Sequence, residues 1–259
     1  MQTLVFAPVF VRPTETFIYD ATCELAAGGM AVRVLTETRD SEADKPFQNV
    51  QVVPRFSVAT KDRWIRGALR MFSRSRADRY TDQLLCGRFV EILEAERPDV
   101  ILANYGHGGA TIAPAARALN IPLMVSFHGA DASRRARDPE WRERYREMFD
   151  IAAIVTGPSD YVCDKLIGLG CPADKVRKLH YGIRTDRIQF KPRALTHSDE
   201  PVRLLFVGRL APKKDPLTLI RSFGRARELS TSCELTLTMV GDGPLLDEAR
   251  QLILSLIHI

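Results

Sequence analysis

The chain has 259 residues, room for one large domain or two modest ones, and its 45% hydrophobic and 27% charged content is that of a soluble globular protein. Five scattered cysteines (Cys23, Cys86, Cys163, Cys171, Cys233) form no C-x-x-C pair, which argues against a disulfide framework or a zinc site and for reduced thiols in a cytosolic protein. No signal-peptide pattern opens the chain, and no apolar stretch approaches the roughly 20 residues that span a bilayer.

Short β-rich runs alternate with helical stretches, the pattern of parallel βαβ construction. Residues 3–10 read as a strand and 15–27 as a helix, with Thr14 a good N-cap and Gly28-Gly29 a C-cap. Strands follow at 31–36 and 50–53. Between Lys61 and Arg79 stand seven cations (Lys61, Arg63, Arg66, Arg70, Arg74, Arg76, Arg79) against two acids (Asp62, Asp78), a surplus equal to the net +5 of the whole chain. At about 100° per residue, Trp64, Ile65, Ala68, Leu69, Met71 and Phe72 fall on one side of a helix, with Arg63, Arg66, Arg70 and Arg74 on the other. Such a helix either lies in an anionic membrane interface or packs its apolar side on the protein's own core. One short basic patch without a reading motif predicts no nucleic-acid partner.

A helix at 80–96, a strand at 100–103, a helix at 110–119 and a strand at 123–127 come next. A helix at 140–149, a strand at 153–156, a helix at 159–169 and a short strand at 176–179 complete a first domain, 1–185. The polar, aperiodic residues 186–200 read as a linker. After Pro201 the alternation restarts, with strands at 202–207 and 235–240 and helices at 216–229 and 244–254, forming a second domain over 201–259. Two βα units cannot cover both faces of a doubly wound sheet, so a truncated second domain is expected, with residues 255–259 not native.

Three junctions carry chemistry. The strand at 202–207 ends on Gly208, and Arg209 and Lys214 follow before a helix opens at Pro216. Backbone N–H groups, a helix N-terminus and two cations together suit a diphosphate; a tight turn with a solvated Arg/Lys pair fits the same residues. One βα unit later Gly241-Asp242-Gly243-Pro244 also joins a strand to a helix, with Pro244 suited to the first helical position. His128, in Ser126-Phe127-His128-Gly129-Ala130-Asp131, follows a strand at the place where open α/β sheets hold ligand-contacting residues, or else is a structural histidine.

These pieces carry a resemblance. Gly208, Arg209, Leu210 and Lys214 resemble the G-R-L-x-x-x-K loop of GT-B glycosyltransferases of family 4, and Gly241–Pro244 resembles its G-x-G-P loop. His128-Gly129-Ala130-Asp131 is similar to the family's H-G-x-D, and Thr14-Glu15-Thr16-Phe17 to its S-E-T-F, with threonine for serine. Residues 181–188 match G-V-D-x-x-x-F in part, with Arg184 where an aspartate is usual, and the later E-x7-E segment has no counterpart.

The resemblance implies an α/β fold of GT-B type: two Rossmann-like doubly wound domains across a cleft, the second incomplete. It implies a retaining hexosyltransferase moving a sugar from a nucleotide-diphosphate sugar to a saccharide or lipid-linked acceptor in cell-surface polysaccharide synthesis, with weak or absent catalysis by this chain. His128, Arg209 and Lys214 take the catalytic positions; Gly208, Arg209, Lys214, Gly241, Gly243 and Pro244 the donor side; Thr14, Glu15 and Asp131 the acceptor side. No metal and no cofactor beyond the donor substrate are expected, and the expected location is the cytoplasm, on the inner membrane face if residues 61–79 bind it. Two other classes stay open: a sugar-nucleotide epimerase on the same fold, and a non-enzymatic membrane or nucleic-acid binding module built on the basic helix.

Overall fold

The computed structural model of the chain describes residues 1–11, 16–40, 43, 45–54, 60–72, 74–192, 201–230 and 233–257. Thr14, Glu15 and residues 193–200 of the expected linker lie outside these. The chain divides into two compact units, Met1–Thr185 and Asp186–Ile259.

The first unit runs β1 (Gln2–Phe10), α1 (Thr16–Ala27), β2 (Ala31–Arg39), β3 (Val50–Val52), α2 (Thr60–Phe72) and α3 (Arg74–Glu96). It continues with β4 (Val100–Asn104), α4 (Gly106–Ala118), β5 (Leu123–Ser126), α5 (Ala130–Ser133), α6 (Pro139–Ile151), β6 (Ile154–Gly157), α7 (Asp160–Gly168) and β7 (Val176–Lys178). Its seven strands form one sheet in the order β3-β2-β1-β4-β5-β6-β7, every pair parallel. The order reverses between β1 and β4, so a crevice forms there at the carboxyl ends of the strands, as in other doubly wound sheets.

Period-two alternation explains how the sheet is covered. Along β1, Leu4 and Phe6 point to one face, where Leu85, Phe89 and Leu93 of α3, Ile112 of α4 and Tyr145 and Phe149 of α6 join them in one apolar cluster. Val5 and Ala7 point to the other, with Ile18 of α1 and Val32 and Val34 of β2. Both faces are thus dry, which a parallel sheet requires.

The structure departs from the pattern-based expectation in several places. β2 runs on to Arg39, because Thr38 and Arg39 still pair with Val9 and Phe10. α4 begins at Gly106, four residues early, on a glycine-rich stretch that propensity alone would leave as loop. Tertiary packing overrides propensity there: a Cβ at Gly106 would run into the Phe127 ring, so only glycine lets this helix start so close to β5. The apolar side of α2 is split: Ile65 and Leu69 are half-buried, while Trp64, Met71 and Phe72 are 77%, 82% and 83% exposed.

The second unit holds β8 (Val202–Val207), α8 (Pro216–Leu229), β9 (Leu235–Val240) and α9 (Leu246–Ile257). β8 and β9 pair in parallel, from Val202 opposite Leu235 to Val207 opposite Val240. Pro216 and Ile220 of α8, Ala249 of α9 and Leu210 are buried, but Leu205, Val207 and Val240 of the strands stand exposed. Pro244 sits in a turn two residues ahead of α9 rather than at its first position. Among the described residues no helix is long and apolar enough to cross a membrane.

Candidate functional site

The crevice of the first unit lies at the ends of β1, β4 and β5, and the backbone there departs from ordinary geometry. Val11, just past β1, and Tyr105, just past β4, hold φ of 67° and 65°. A β-branched or aromatic residue in that region costs on the order of 1–3 kcal/mol, and such strain clusters at ligand sites. Both residues flank the point where strand order reverses.

His128 follows β5, and its ring is held from two sides. Its Nδ1 is 2.9 Å from the Tyr181 hydroxyl and its Nε2 3.3 Å from Oδ1 of Asn104, the last residue of β4. Aromatic rings close around it: Phe17 of α1 at 4.8 Å, Tyr105 at 4.6 Å edge-on, and Tyr181 stacked at 5.6 Å. Burial lowers the imidazole pKa from 6.5 to about 4, so the ring is neutral at pH 7. Burial first, then the Asp131 charge, lifts the Tyr181 phenol to about 12.

Asp131, placed on the acceptor side by the resemblance, is only 4% exposed. Its Oδ2 accepts from the backbone N–H of Gly106 at 2.9 Å; its Oδ1 accepts from those of His128 at 3.0 Å and Ala132 at 3.1 Å. Burial raises its carboxyl pKa while these donors pull it down. The carboxylate therefore ties the β5 loop to the start of α4. It fixes where His128 sits, and 4% exposure leaves the carboxylate little surface to present to an acceptor.

Arg184, standing where an aspartate is usual, pairs with Glu24 of α1 at 3.0 Å. With the Tyr181–His128 bond this fastens residues 181–184 across the crevice. Sequence reasoning missed Asn104, Tyr105 and the packing role of Phe17. An asparagine ending a strand of the central pair was the available signal.

In the second unit the two glycine loops lie side by side. The Gly208 N–H donates to the Val240 carbonyl at 3.0 Å, Leu210 N–H to Asp242 O at 2.9 Å, and Leu245 N–H to Leu210 O at 2.9 Å. A Cβ at Gly241 would collide with the Gly208 carbonyl, and one at Gly243 with that of Leu210, so side chains at these positions would force the loops apart. Asp215, in the left-handed region at φ 47°, caps α8 by accepting from Thr218 N–H at 3.3 Å. Arg209 and Lys214 are exposed, and among the described residues neither pairs with an acid. Two such cations beside a helix N-terminus and laced backbone loops form a surface suited to an anion.

A family model described as Glycosyltransferase Family 4 matches residues 14–187. The amylovoran biosynthesis glycosyltransferase AmsK of Erwinia amylovora is 28% identical over 203 residues, 77% of this chain and 49% of that protein. WcaL of Escherichia coli (strain K12), a glycosyltransferase assigned to colanic acid biosynthesis, is 27% identical over 160 residues, 61% of this chain and 38% of that protein. The chain thus aligns with half or less of the length of these curated relatives. The crystal structure of HepE of Anabaena with UDP and glucose shares the fold at a TM-score of 0.70 and 16% identity, covering 99% of this chain and 66% of that one.

Proposed function

This chain belongs to glycosyltransferase family 4, and from that premise we propose that the protein is a retaining glycosyltransferase of cell-surface polysaccharide synthesis. The donor is a nucleotide-diphosphate sugar, and the acceptor a saccharide or lipid-linked saccharide. The observation that carries the donor half is the lacing of the Gly208–Leu210 and Gly241–Gly243 loops beside the exposed Arg209 and Lys214. HepE, which shares this fold, was solved with UDP-glucose, and that supports the donor class.

In the proposed reaction the bond between the sugar's anomeric carbon and the diphosphate oxygen breaks, and the oxygen keeps the electron pair. Arg209 and Lys214 offset the charge that gathers on it, so no metal is invoked. The acceptor hydroxyl oxygen bonds to the carbon and gives up its proton to the departing diphosphate. His128 meets the sugar as a neutral ring rather than as a general base, a role its low pKa favours. Thr14 and Glu15 belong to the acceptor side of the proposal, while Asp131 supports the loop that carries His128. Weak turnover by this chain alone is part of the proposal.

Part of the proposal is that the protein works on the inner face of the cytoplasmic membrane, docked through α2. The support is the exposed stripe of Trp64, Met71 and Phe72 in the segment that holds the chain's whole net charge.

The test pairs UDP binding with turnover of UDP-glucose. Arg209→Ala and Lys214→Ala should each lower turnover by about 10²-fold or more, the scale of losing one charge stabiliser. Unchanged turnover and UDP affinity in Arg209→Ala would remove that residue from the site. An epimerised free nucleotide sugar in place of a glycoside would overturn the transferase reading.

A further inference from the structure

The geometry assigns to Asn104 and Tyr181 the job of holding His128 as one tautomer, with its proton on Nε2 and a lone pair on Nδ1 presented through an exchangeable bond. Asn104 decides the first half. Its Nδ2 faces the Phe6 carbonyl at 3.5 Å, the outer limit of a hydrogen bond, and a carbonyl only accepts, so the network assigns the amide oxygen to the side facing the ring. Oδ1 also only accepts; Nε2, 3.3 Å away, therefore carries hydrogen. A neutral imidazole has one such hydrogen, which leaves Nδ1 bare to accept the Tyr181 O–H at 2.9 Å.

The groups around the ring agree with a neutral state. Asp131 of α5 spends its carboxylate on backbone N–H groups, including that of His128 itself. Phe17 from α1 is uncharged, and Tyr105 and Tyr181 are phenols. Arg184, three residues beyond Tyr181, is paired with Glu24.

The two bonds differ in permanence. Asn104 is buried and built into the end of β4, whereas Tyr181 is half-exposed on a segment with no regular structure. A ligand hydroxyl can therefore displace the phenol and donate to Nδ1 in its place, while Asn104 keeps the ring from turning. His128 then selects ligands that present an O–H donor, and Asn104 and Tyr181 are positioning residues. This last step rests on the glycosyltransferase reading; the tautomer does not.

Nitrogen-15 NMR of the imidazoles in the whole chain tests it without reference to turnover. Expected is a His128 ring with a bare Nδ1 and a protonated Nε2 from pH 8 down to pH 5. Asn104→Asp, which keeps an acceptor in place, should preserve the tautomer, while Asn104→Leu should mix the two. Tyr181→Phe should keep the Nε2–H form and raise the His128 pKa measurably, by about one or more, since it removes a donor that favours the neutral ring. A protonated Nδ1 in the native chain, or an Asn104→Leu ring as pure as the native one, overturns the inference. Should Asn104→Leu fail to fold, a Tyr181→Phe ring with unaltered pKa overturns it equally. Loss of UDP-glucose binding with the tautomer intact would count against the proposed function and leave the inference standing.

Discussion

In the unfolded chain His128 takes up a proton near pH 6.5, whereas burial in the fold delays protonation to about pH 4. Between those values the unfolded state binds more protons, so acid favours unfolding. The lost stability approaches roughly 3 kcal/mol, since each tenfold change in proton affinity is worth about 1.4 kcal/mol. Asp131 acts in the opposite sense, because its raised folded pKa contributes stability at low pH that is lost as pH rises through that value. The comparison to make is therefore the urea midpoint of the native chain against His128→Gln at pH 4.5 and pH 7. The variant should lose less on acidification, and an equal loss would contradict the neutral buried ring. At Gly241 a methyl group has the Gly208 carbonyl in its way, so Gly241→Ala should cost about 2 kcal/mol or more. Faster hydrogen exchange confined to the β8 and β9 amides would report it. The histidine was legible because a motif after a strand is a local pattern. Asn104 was not, since what orients it is the carbonyl of Phe6, 98 residues earlier.

Helices bear their own predictions. Gly87 lies on the exposed side of α3 with nothing near its missing Cβ, so Gly87→Ala should stabilise by about 1 kcal/mol, the usual helix preference for alanine. A lower thermal midpoint would mean that α3 is not helical there. For α2, the expected outcome is co-flotation with vesicles of phosphatidylglycerol and phosphatidylcholine, weakened by salt and absent with phosphatidylcholine alone. Replacing Trp64, Met71 and Phe72 together by serine should abolish it. Undiminished flotation of that variant, or concentration-dependent self-association through the same face, would reject the membrane role. Periodicity marked α2 as amphipathic from its residues alone. Whether its apolar side was covered depended on what the fold laid against it: α2 turns Ile65 and Leu69 inward and leaves Trp64 out. The boundaries of β8, α8 and β9 were legible for a different reason: Gly208, Pro216 and Gly241 punctuate them locally.

At the scale of the molecule, the two units differ in how much of their surface is dry. Met1–Thr185 has an apolar cluster on each face of a seven-stranded sheet and should fold by itself. Asp186–Ile259 pairs two strands whose Leu205, Val207 and Val240 stay exposed, and two strands are marginal alone. Expressed separately, 1–185 should unfold in one cooperative step, and 186–259 should show no sharp transition; a cooperative transition in the smaller piece would contradict this. The alternation of strands and helices, the parallel construction and the two glycine loops were determined by the amino-acid sequence itself, because hydrophobic period and glycine placement act over a few neighbours. Only the tertiary structure decided that Asp131 is spent on backbone N–H groups, that Arg184 answers Glu24, and that Asn104 and Tyr181 share His128. Those pairings join residues 25, 160, 24 and 53 positions apart, and separation along the chain says nothing of distance until a sheet has been laid down in order.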